Sequence, residues 1–324
     1  MNVLITSASR KVSLVRAFQA ALAATGGGRV IAADVDPLAA ALYVADAPLL
    51  VPRSDDRMFV PAILEACRDN DVSLVVPTRD EELPVFAEAR GRFQAASVEV
   101  AVSAPEAIAA CQDKARFASF CVTEGFESPS LLDPEGPLQY PVFVKARVGK
   151  GGRGATRAED AAELTRAMDA IRRADGDPIV QRFQDGREVT IDVFADFRGN
   201  IISALVRERT VVVGGESWVG VTLDAPRLRD GAVALVRALG LICHVTVQAF
   251  EVDGSPVFIE VNPRYGGGAA LGFAAGLPTP EFLVRAARGE PLEPVLDRPV
   301  PELVMLRHTD DVFLSPGQLV SARS

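Results

Sequence analysis

The stretch VFIEVNPRYGGG, residues 257–268, decides how the rest of the chain is read. Val257, Phe258 and Ile259 predict a short buried strand. Glu260 and Asn262 stand two apart, so an extended backbone turns both side chains to one face. A carboxylate beside an amide oxygen suits a hard cation such as Mg²⁺, which takes oxygen ligands and keeps waters or phosphates in its shell. Pro263 stops the ladder. Arg264 then sets a rigid fork of donors beside that pair, a geometry suited to phosphate or carboxylate. Gly266, Gly267 and Gly268 let the backbone approach a ligand closely or adopt positive φ. Alone, the stretch reads equally well as a strand, a proline turn and a glycine loop with a surface arginine. Residues elsewhere decide between these.

The chain has 324 residues, room for two or three domains. Hydrophobic residues make up 48%, enough for a proper core. Lys plus Arg is 34 against 43 for Asp plus Glu, a net charge of −9, which argues against a general nucleic-acid binder. Cys67, Cys111, Cys121 and Cys243 form no C-x-x-C pair, so reduced, buried thiols in a cytoplasmic protein are the simplest account. The N-terminus enters an apolar strand directly, which predicts no signal peptide. No apolar run reaches membrane-spanning length.

Upstream, residues 2–6 read as a buried parallel strand, 12–24 as a helix and 29–33 as a second strand. That β-α-β start predicts a doubly wound sheet. Its first turn, TSASRK at 6–11, has no glycine where dinucleotide-binding folds carry G-x-G-x-x-G. Ser7 and Ser9 could offer donors to an anion, though helix capping is the plainer reading. Residues 61–69 read as a helix and 72–76 as a strand running into PTRDEE at 77–82. Polar residues past a strand's C-terminal end stand where open α/β sheets bind ligands, which makes Arg79 and Asp80 candidate substrate contacts. A solvated helix start explains the same charges.

Residues 97–102 read as a strand, with Ser103 capping a helix through Cys111. A new helix starts near Lys114, and 128–140 reads as a connection. Residues 141–146, PVFVKA, form a strand, followed by a basic glycine-rich loop, GKGGRG at 149–154. Such a loop can wrap phosphates, yet it does not match the Walker pattern. Lys145 stands in an otherwise apolar strand and needs an anion or a route to solvent. A helix over 158–174 and a strand over 178–183 complete a small β-loop-α-β unit. Residues 188–194 and 201–208 alternate polar and apolar and predict an antiparallel pair, with 211–215 as loop and a strand around Glu216. Residues 228–239 read as a helix, 244–251 as a strand and 278–287 as a last helix, and the tail from Gly289 is expected to be peripheral. Gln248 is polar in an apolar run, either a hydrogen-bonded core amide or an oxygen for the cation beside Glu260.

In this order, D-K-x-x-F at 113–117, PVFVKA before a glycine-rich loop, Gln248 and IEVNPR at 259–264 resemble the ATP-grasp superfamily. The nearest likeness is to its carbamoyl-phosphate-synthetase large-chain type, and it covers almost the whole chain. The resemblance implies an α/β protein in three parts. Residues 1–112 would be a Rossmann-like, doubly wound domain. Residues 113–183 would be a small lid subdomain with the glycine-rich loop, and 184–324 a C-terminal α+β subdomain with the metal site. It also implies roles. Lys114 and Lys145 would contact ATP phosphates, with Gly151, Gly152 and Gly154 in the closing loop. Gln181, Arg182 and Phe183 would meet adenine, although a carboxylate is usual where Gln181 stands. Glu188 would take the ribose, and Gln248, Glu260 and Asn262 would bind Mg²⁺, or Mn²⁺ in its place. Arg264, Lys145 and Arg207 are the candidate catalytic cations. Arg79, Asp80, Arg209 and Glu216 are candidate substrate contacts. The implied function is an ATP-dependent carboxylate–amine ligase that works through an acyl phosphate and releases ADP. Bicarbonate or carbamate activation and a non-catalytic ATP-binding role are the alternatives. The expected partners are small-molecule carboxylate and amine substrates, with neither nucleic acid nor membrane, and a homodimer is the prior expectation for a soluble enzyme.

Overall fold

The computed structural model describes residues 1–149, 154–298 and 301–320, and it builds them around three sheets. The first contains β1 (Asn2–Ile5), β2 (Val30–Asp34), β3 (Ala47–Leu50), β4 (Val72–Val76) and β5 (Glu99–Val100). All its pairings are parallel, in the order β3-β2-β1-β4-β5. Between and after the strands run α1 (Val12–Ala24), α2 (Ala40–Val44), α3 (Phe59–Asp69), α4 (Leu83–Ala95) and α5 (Pro105–Gln112). A parallel strand covered on both faces needs an unbroken apolar run, which Val3, Leu4 and Ile5 supply. Val3 and Ile5 pack with Val15 and Phe18 of α1. Leu4 packs on the other face with Ile63 of α3 and with Phe86 and Phe93 of α4. Burial of each of those rings contributes roughly 1.5–3 kcal/mol. The order reverses at β1, so the loops after β1 and β4 meet at one edge.

A second group begins at α6 (Lys114–Glu124), capped by Asp113, whose carboxylate accepts from the amides of Ala115 and Arg116. Its antiparallel sheet contains β6 (Leu131–Leu132), β7 (Val142–Ala146), β8 (Thr156–Ala158) and β9 (Pro178–Arg182), in the order β6-β9-β7-β8. α7 (Ala161–Arg173) covers one face through Leu164, Met168 and Ile171, against Val142, Val144 and Val180. The helix expected over 158–174 starts at Ala161 instead. Asp160 caps it by accepting from the Glu163 amide, and the residues before it pair with β7.

The third sheet is antiparallel and six-stranded. It contains β10 (Arg187–Ala195), β11 (Ile201–Val213), β12 (Glu216–Leu223), β13 (Cys243–Val252), β14 (Ser255–Asn262) and β15 (Val304–Leu306), in the order β14-β13-β10-β11-β12-β15. Alternation divides its faces. Val189, Ile191, Val193, Val206, Val245 and Val247 pack against α8 (Pro226–Ala238), and the polar residues between them face the other way. α9 (Ala269–Ala274) and α10 (Thr279–Ala287) follow β14. Phe282, Leu283 and Val284 of α10 join the α1 core and so bind this sheet to the first one. Among the described residues no helix is long and apolar enough to cross a membrane. All four cysteines are buried and free.

Several expectations are corrected here. Residues 211–213 continue β11 rather than forming a loop, because β12 pairs with them. Ser103 does not cap α5, since its hydroxyl accepts from the Ile242 amide instead. Neither Ser7 nor Ser9 caps α1. The tail is not peripheral. β15 covers the open edge of β12, and the Val295 amide donates to the Ile202 carbonyl at 2.7 Å.

Candidate functional site

The polar face of the six-stranded sheet is set by register. Glu260 lies directly opposite Gln248, and Asn262 opposite Thr246. Thr190 lies opposite both Gln248 and Arg207, and Asp192 opposite Thr246 and Leu205. Residues directly across a ladder share a face, so these side chains form two adjacent rows. Sequence spacing placed Glu260 and Asn262 together, and the register adds Gln248.

The three oxygen-bearing side chains are oriented by neighbours. Asn262 Nδ2 donates to Glu260 Oε1 at 3.2 Å, which leaves the amide oxygen for other partners. Arg264 Nη2 lies 3.3 Å from that oxygen, and Arg209 Nη1 donates to Gln248 Oε1 at 2.8 Å. One carboxylate with two amide oxygens is a hard donor set that fits Mg²⁺ retaining further oxygen ligands. Among the described residues, no three or more His, Cys, Asp and Glu side chains are placed to hold a metal ion. A cation site here would therefore depend on the amides.

Lys145 comes from β7 in the small sheet and is buried, on the face away from α7. Burial pushes its ammonium down to about 8, opposed by the attraction of Glu260 and reinforced by the repulsion of Lys114. Lys145 thus lies within electrostatic reach of the oxygen cluster on the other sheet. Lys114 donates to the Gly149 carbonyl at 2.7 Å, at the base of the glycine-rich loop. Gly151 and Gly152 lie outside the described residues. Gly154 has φ +73°, and a Cβ there would stand 3.3 Å from Ile171 of α7.

Gln181 is buried and donates to the Pro129 carbonyl at 2.9 Å, so this amide hydrogen is engaged inside the small unit. Arg182 is exposed, and its backbone amide donates to the Ser130 carbonyl at 2.9 Å. The Phe183 ring carries the Arg157 guanidinium 4.4 Å from its centroid. Glu188 accepts from Arg209 at 2.6 Å, and Arg209 also donates to the Gly215 carbonyl. Arg209 is therefore a brace between β10, β13 and the β11–β12 turn.

Arg207 is buried against Asp192, with Nε to Oδ2 at 2.9 Å. Thr246 Oγ1 donates to Asp192 Oδ1 at 3.2 Å, and His244 Nε2 stands 3.6 Å from the same oxygen. Burial disfavours the charge on Asp192, but Arg207 and His244 outweigh it and hold the carboxyl well below the usual range. His244 also bonds Thr279 at 3.0 Å and stacks on Tyr265 with centroids 4.2 Å apart. Sequence reading missed Asp192. The available signal was an acid on the polar face of an alternating strand, opposite a strand carrying Arg207.

The three glycines after β14 serve close approach rather than positive φ. A Cβ on Gly266 would stand 2.8 Å from Thr246 Oγ1, and one on Gly268 would stand 2.4 Å from Arg207 Nη1. Gly268→Ala is expected to displace Arg207 and to cost about 1–3 kcal/mol, the usual range for overpacking a filled site. Urea unfolding checks this, and an unchanged midpoint would remove the constraint assigned to Gly268. Glu216 is exposed and accepts from Arg307, a residue of the tail that also donates to the Gly267 carbonyl.

The N-terminal domain also reaches the site. Asp80 accepts from Arg264 Nε and Nη2, both at 2.7 Å, a bidentate pair that ties the loop after β4 to the end of β14. Arg79 is exposed, with Nε 3.4 Å from Glu81. The structure thus brings Glu260, Asn262, Gln248, Lys145, Lys114, Arg264, Arg209 and Asp80 around one region. Arg207 lies beneath it, under Gly268.

Residues 3–101 match the family model described as PylC-like, N-terminal domain. Residues 175–309 match the one described as ATP-grasp in the biosynthetic pathway with Ter operon. The carbamoyl phosphate synthase large chain of Myxococcus xanthus is 28% identical over 194 residues, 53% of this chain and 18% of that protein. The chain thus spans less than a fifth of that relative's length. A biotin carboxylase from Campylobacter jejuni superposes with a TM-score of 0.71 at 20% identity, over 90% of this chain and 71% of the other. An L-amino acid ligase from Bacillus licheniformis gives 0.69 at 20% identity, over 90% and 75%.

Proposed function

We propose, from the match of residues 175–309 to an ATP-grasp family model, that the chain is a member of the ATP-grasp superfamily and an ADP-forming ligase joining a small-molecule carboxylate to an amine. One observation carries the reading. Lys145 on the small sheet is attracted by Glu260 of the large sheet, which lies opposite Gln248 and accepts from Asn262, and this supports one anionic, metal-bound ligand shared by the two sheets. We divide the chain into residues 1–112, 113–183 and 184–324, with the nucleotide between the last two parts. Mg²⁺, when bound, supplies charge neutralisation on the nucleotide phosphates.

The chain's own residues do the rest. Gln248, Glu260 and Asn262 would hold the cation. Lys114 and Lys145 would bind phosphate oxygens, and a buried ammonium does so strongly because water competes poorly there. Gln181–Phe183 would border the adenine, chiefly through backbone, and Glu188 the ribose. Arg264, fixed by Asp80, keeps Nη1 directed at the Tyr265 carbonyl at 3.2 Å and would orient the transferred group. Arg207 would set the charge beneath it. Arg79, Asp80, Arg209 and Glu216 would border the substrates. We place the reaction in the cytoplasm, on small molecules, without nucleic acid.

Lys145→Met is expected to weaken Mg-ATP binding about ten-fold or more, the size of a lost charge-assisted hydrogen bond. Calorimetric titration measures it, and unaltered affinity would remove Lys145 from the phosphate site. The function itself is tested by ADP and phosphate release from Mg-ATP. The panel is amino acids, small carboxylic acids and bicarbonate, each with and without a second amine, with products read by mass spectrometry. Release stimulated by one pair, with an amide product, is the expected result. ATP binding with no stimulated release across the panel would overturn the ligase reading.

A further inference from the structure

We propose that His244 is a positioning residue for the site, and that it steadies Asp192 and Arg207 through a water molecule bound in a small polar cavity between the large sheet and α9–α10. Three neighbours surround the imidazole. Its Nδ1 lies 3.0 Å from Thr279 Oγ1, at the head of α10. Its ring stacks on Tyr265, with centroids 4.2 Å apart and planes 16° from parallel. Tyr265 stands between Arg264 and Gly266, so the stack bears on the turn that follows β14. The third neighbour is Asp192, whose Oδ1 is 3.6 Å from Nε2. That separation is too long for a hydrogen bond. Nε2 is buried and has no hydrogen-bond partner among the described residues. A buried polar atom left without a partner is costly, so a partner is expected beside it.

The cavity supplies the room. Its volume is about 10 Å³, the space of one water molecule. Asp192, Ser203, His244 and Thr279 bring its polar groups, and Phe273 and Leu277 are among its apolar walls. All four polar residues are buried. An interior water makes about three hydrogen bonds, and this lining offers a carboxylate, two hydroxyls and a ring nitrogen. Water both donates and accepts, so it serves Nε2 in either tautomer. Arg207 already balances the Asp192 charge, so a neutral ligand is the match.

That water closes a line of contacts from the N-terminal domain to the glycine loop. Phe282, Leu283 and Val284 of α10 sit in the α1 core, and Thr279 starts that helix. From Thr279 the line runs through His244 and the water to Asp192. Asp192 accepts from Arg207 Nε at 2.9 Å and from Thr246 Oγ1 at 3.2 Å. Thr246 Oγ1 is also 3.2 Å from the Arg264 carbonyl. Gly266 and Gly268 close over Thr246 and Arg207 so tightly that neither has room for a Cβ. Freeing the imidazole would let Asp192 turn, and Arg207 would then shift against Gly268. These residues lie beneath the phosphate and metal groups, so the effect falls on turnover more than on ATP binding.

The link to turnover rests on the ligase reading, whereas the water site is tested without turnover. Gly272 lines the cavity, and a Cβ there would stand 3.8 Å from Leu205 and 4.0 Å from Asp192 Oδ2, ordinary contact distances. Gly272→Ala therefore fits, yet its methyl takes the place of the water. Gly91→Ala in α4, whose Cβ would meet nothing within 4 Å, is the control for helix preference. Thermal melts are expected to give a lower midpoint for Gly272→Ala than for the native protein, and an equal or higher one for Gly91→Ala. A Gly272→Ala midpoint at or above the native one would mean that the cavity needs no water, and overturns the proposal. In the second arm, His244→Leu lowers kcat for ADP release about ten-fold or more, with KM for ATP within about two-fold, and His244→Gln, which can bring an amide near the place of Nε2, restores most of it. A kcat for folded His244→Leu within about two-fold of native, or no rescue by His244→Gln, also overturns it. Should His244→Leu not fold, the Gly272→Ala melt decides alone. A lowered Gly272→Ala midpoint without any stimulated ADP release leaves the water site standing while the ligase reading falls.

Discussion

Glu260→Gln is expected to lower ADP release by about 10²–10³-fold while the protein remains folded, the scale seen when one preorganised electrostatic group is removed from a phosphoryl-transfer site. Glu260 is the one carboxylate of its cluster, since its neighbours Gln248 and Asn262 bring amide oxygens. Neutralising it removes the formal charge that would fix a divalent cation and oppose Lys145 across the cleft. The substitution keeps the side chain's shape and one carbonyl oxygen, so Asn262 Nδ2 retains an acceptor. Glu260 is only half-buried, and stability should shift by about 0.5 kcal/mol at most. Steady-state ADP release alongside a thermal melt separates the two effects. Full turnover in the variant would sink the metal-site assignment, and a collapsed melt would make Glu260 structural instead.

Asp192→Ala should be among the most destabilising single changes, costing about 3–5 kcal/mol. Arg207 and Asp192 are both buried, and Thr246 and His244 converge on the same carboxylate. Removing the acid leaves a guanidinium in a site closed above by Gly268. The sign with pH follows from the depressed carboxyl. Its stabilising contribution is fully present above the ordinary value of 3.8 and is lost as pH falls through the lower folded value. The stability gap between the native protein and the variant should therefore hold constant near neutrality and narrow only in strong acid. Urea unfolding at neutral pH and at a series of acid pH values measures both features. A gap below about 1 kcal/mol at neutral pH would mean that Arg207 finds another partner or reaches solvent.

Much of the fold was legible in the residues. The ranges 12–24 and 72–76 were read as they stand, because helical spacing in α1 and an unbroken apolar run in β4 are local signals. Of α4 only a helix start at its charged leading residues was read and not its extent, since Gly91 interrupts its helical composition and its burial depends on packing with Phe59 and β5. β15 was not read because a three-residue strand gains its hydrogen bonds from β12, more than 80 residues away in sequence. α2, β3 and α9 are short in the same way.

The sequence by itself determined three things: the two-residue spacing of Glu260 and Asn262, the anomalous Lys145 in an apolar strand, and the order of segments that carries the resemblance to the ATP-grasp superfamily. Each is a property of nearby residues and the period of a strand or helix. Only the tertiary structure decided that Gln248 lies opposite Glu260, that Asp80 holds Arg264, and that Arg207 sits under Gly268 bonded to Asp192. Those pairings depend on register and on the docking of one sheet against another. A one-residue slip in register would turn every polar side chain of the large sheet into the α8 core, and no local signal records which strand lies beside which.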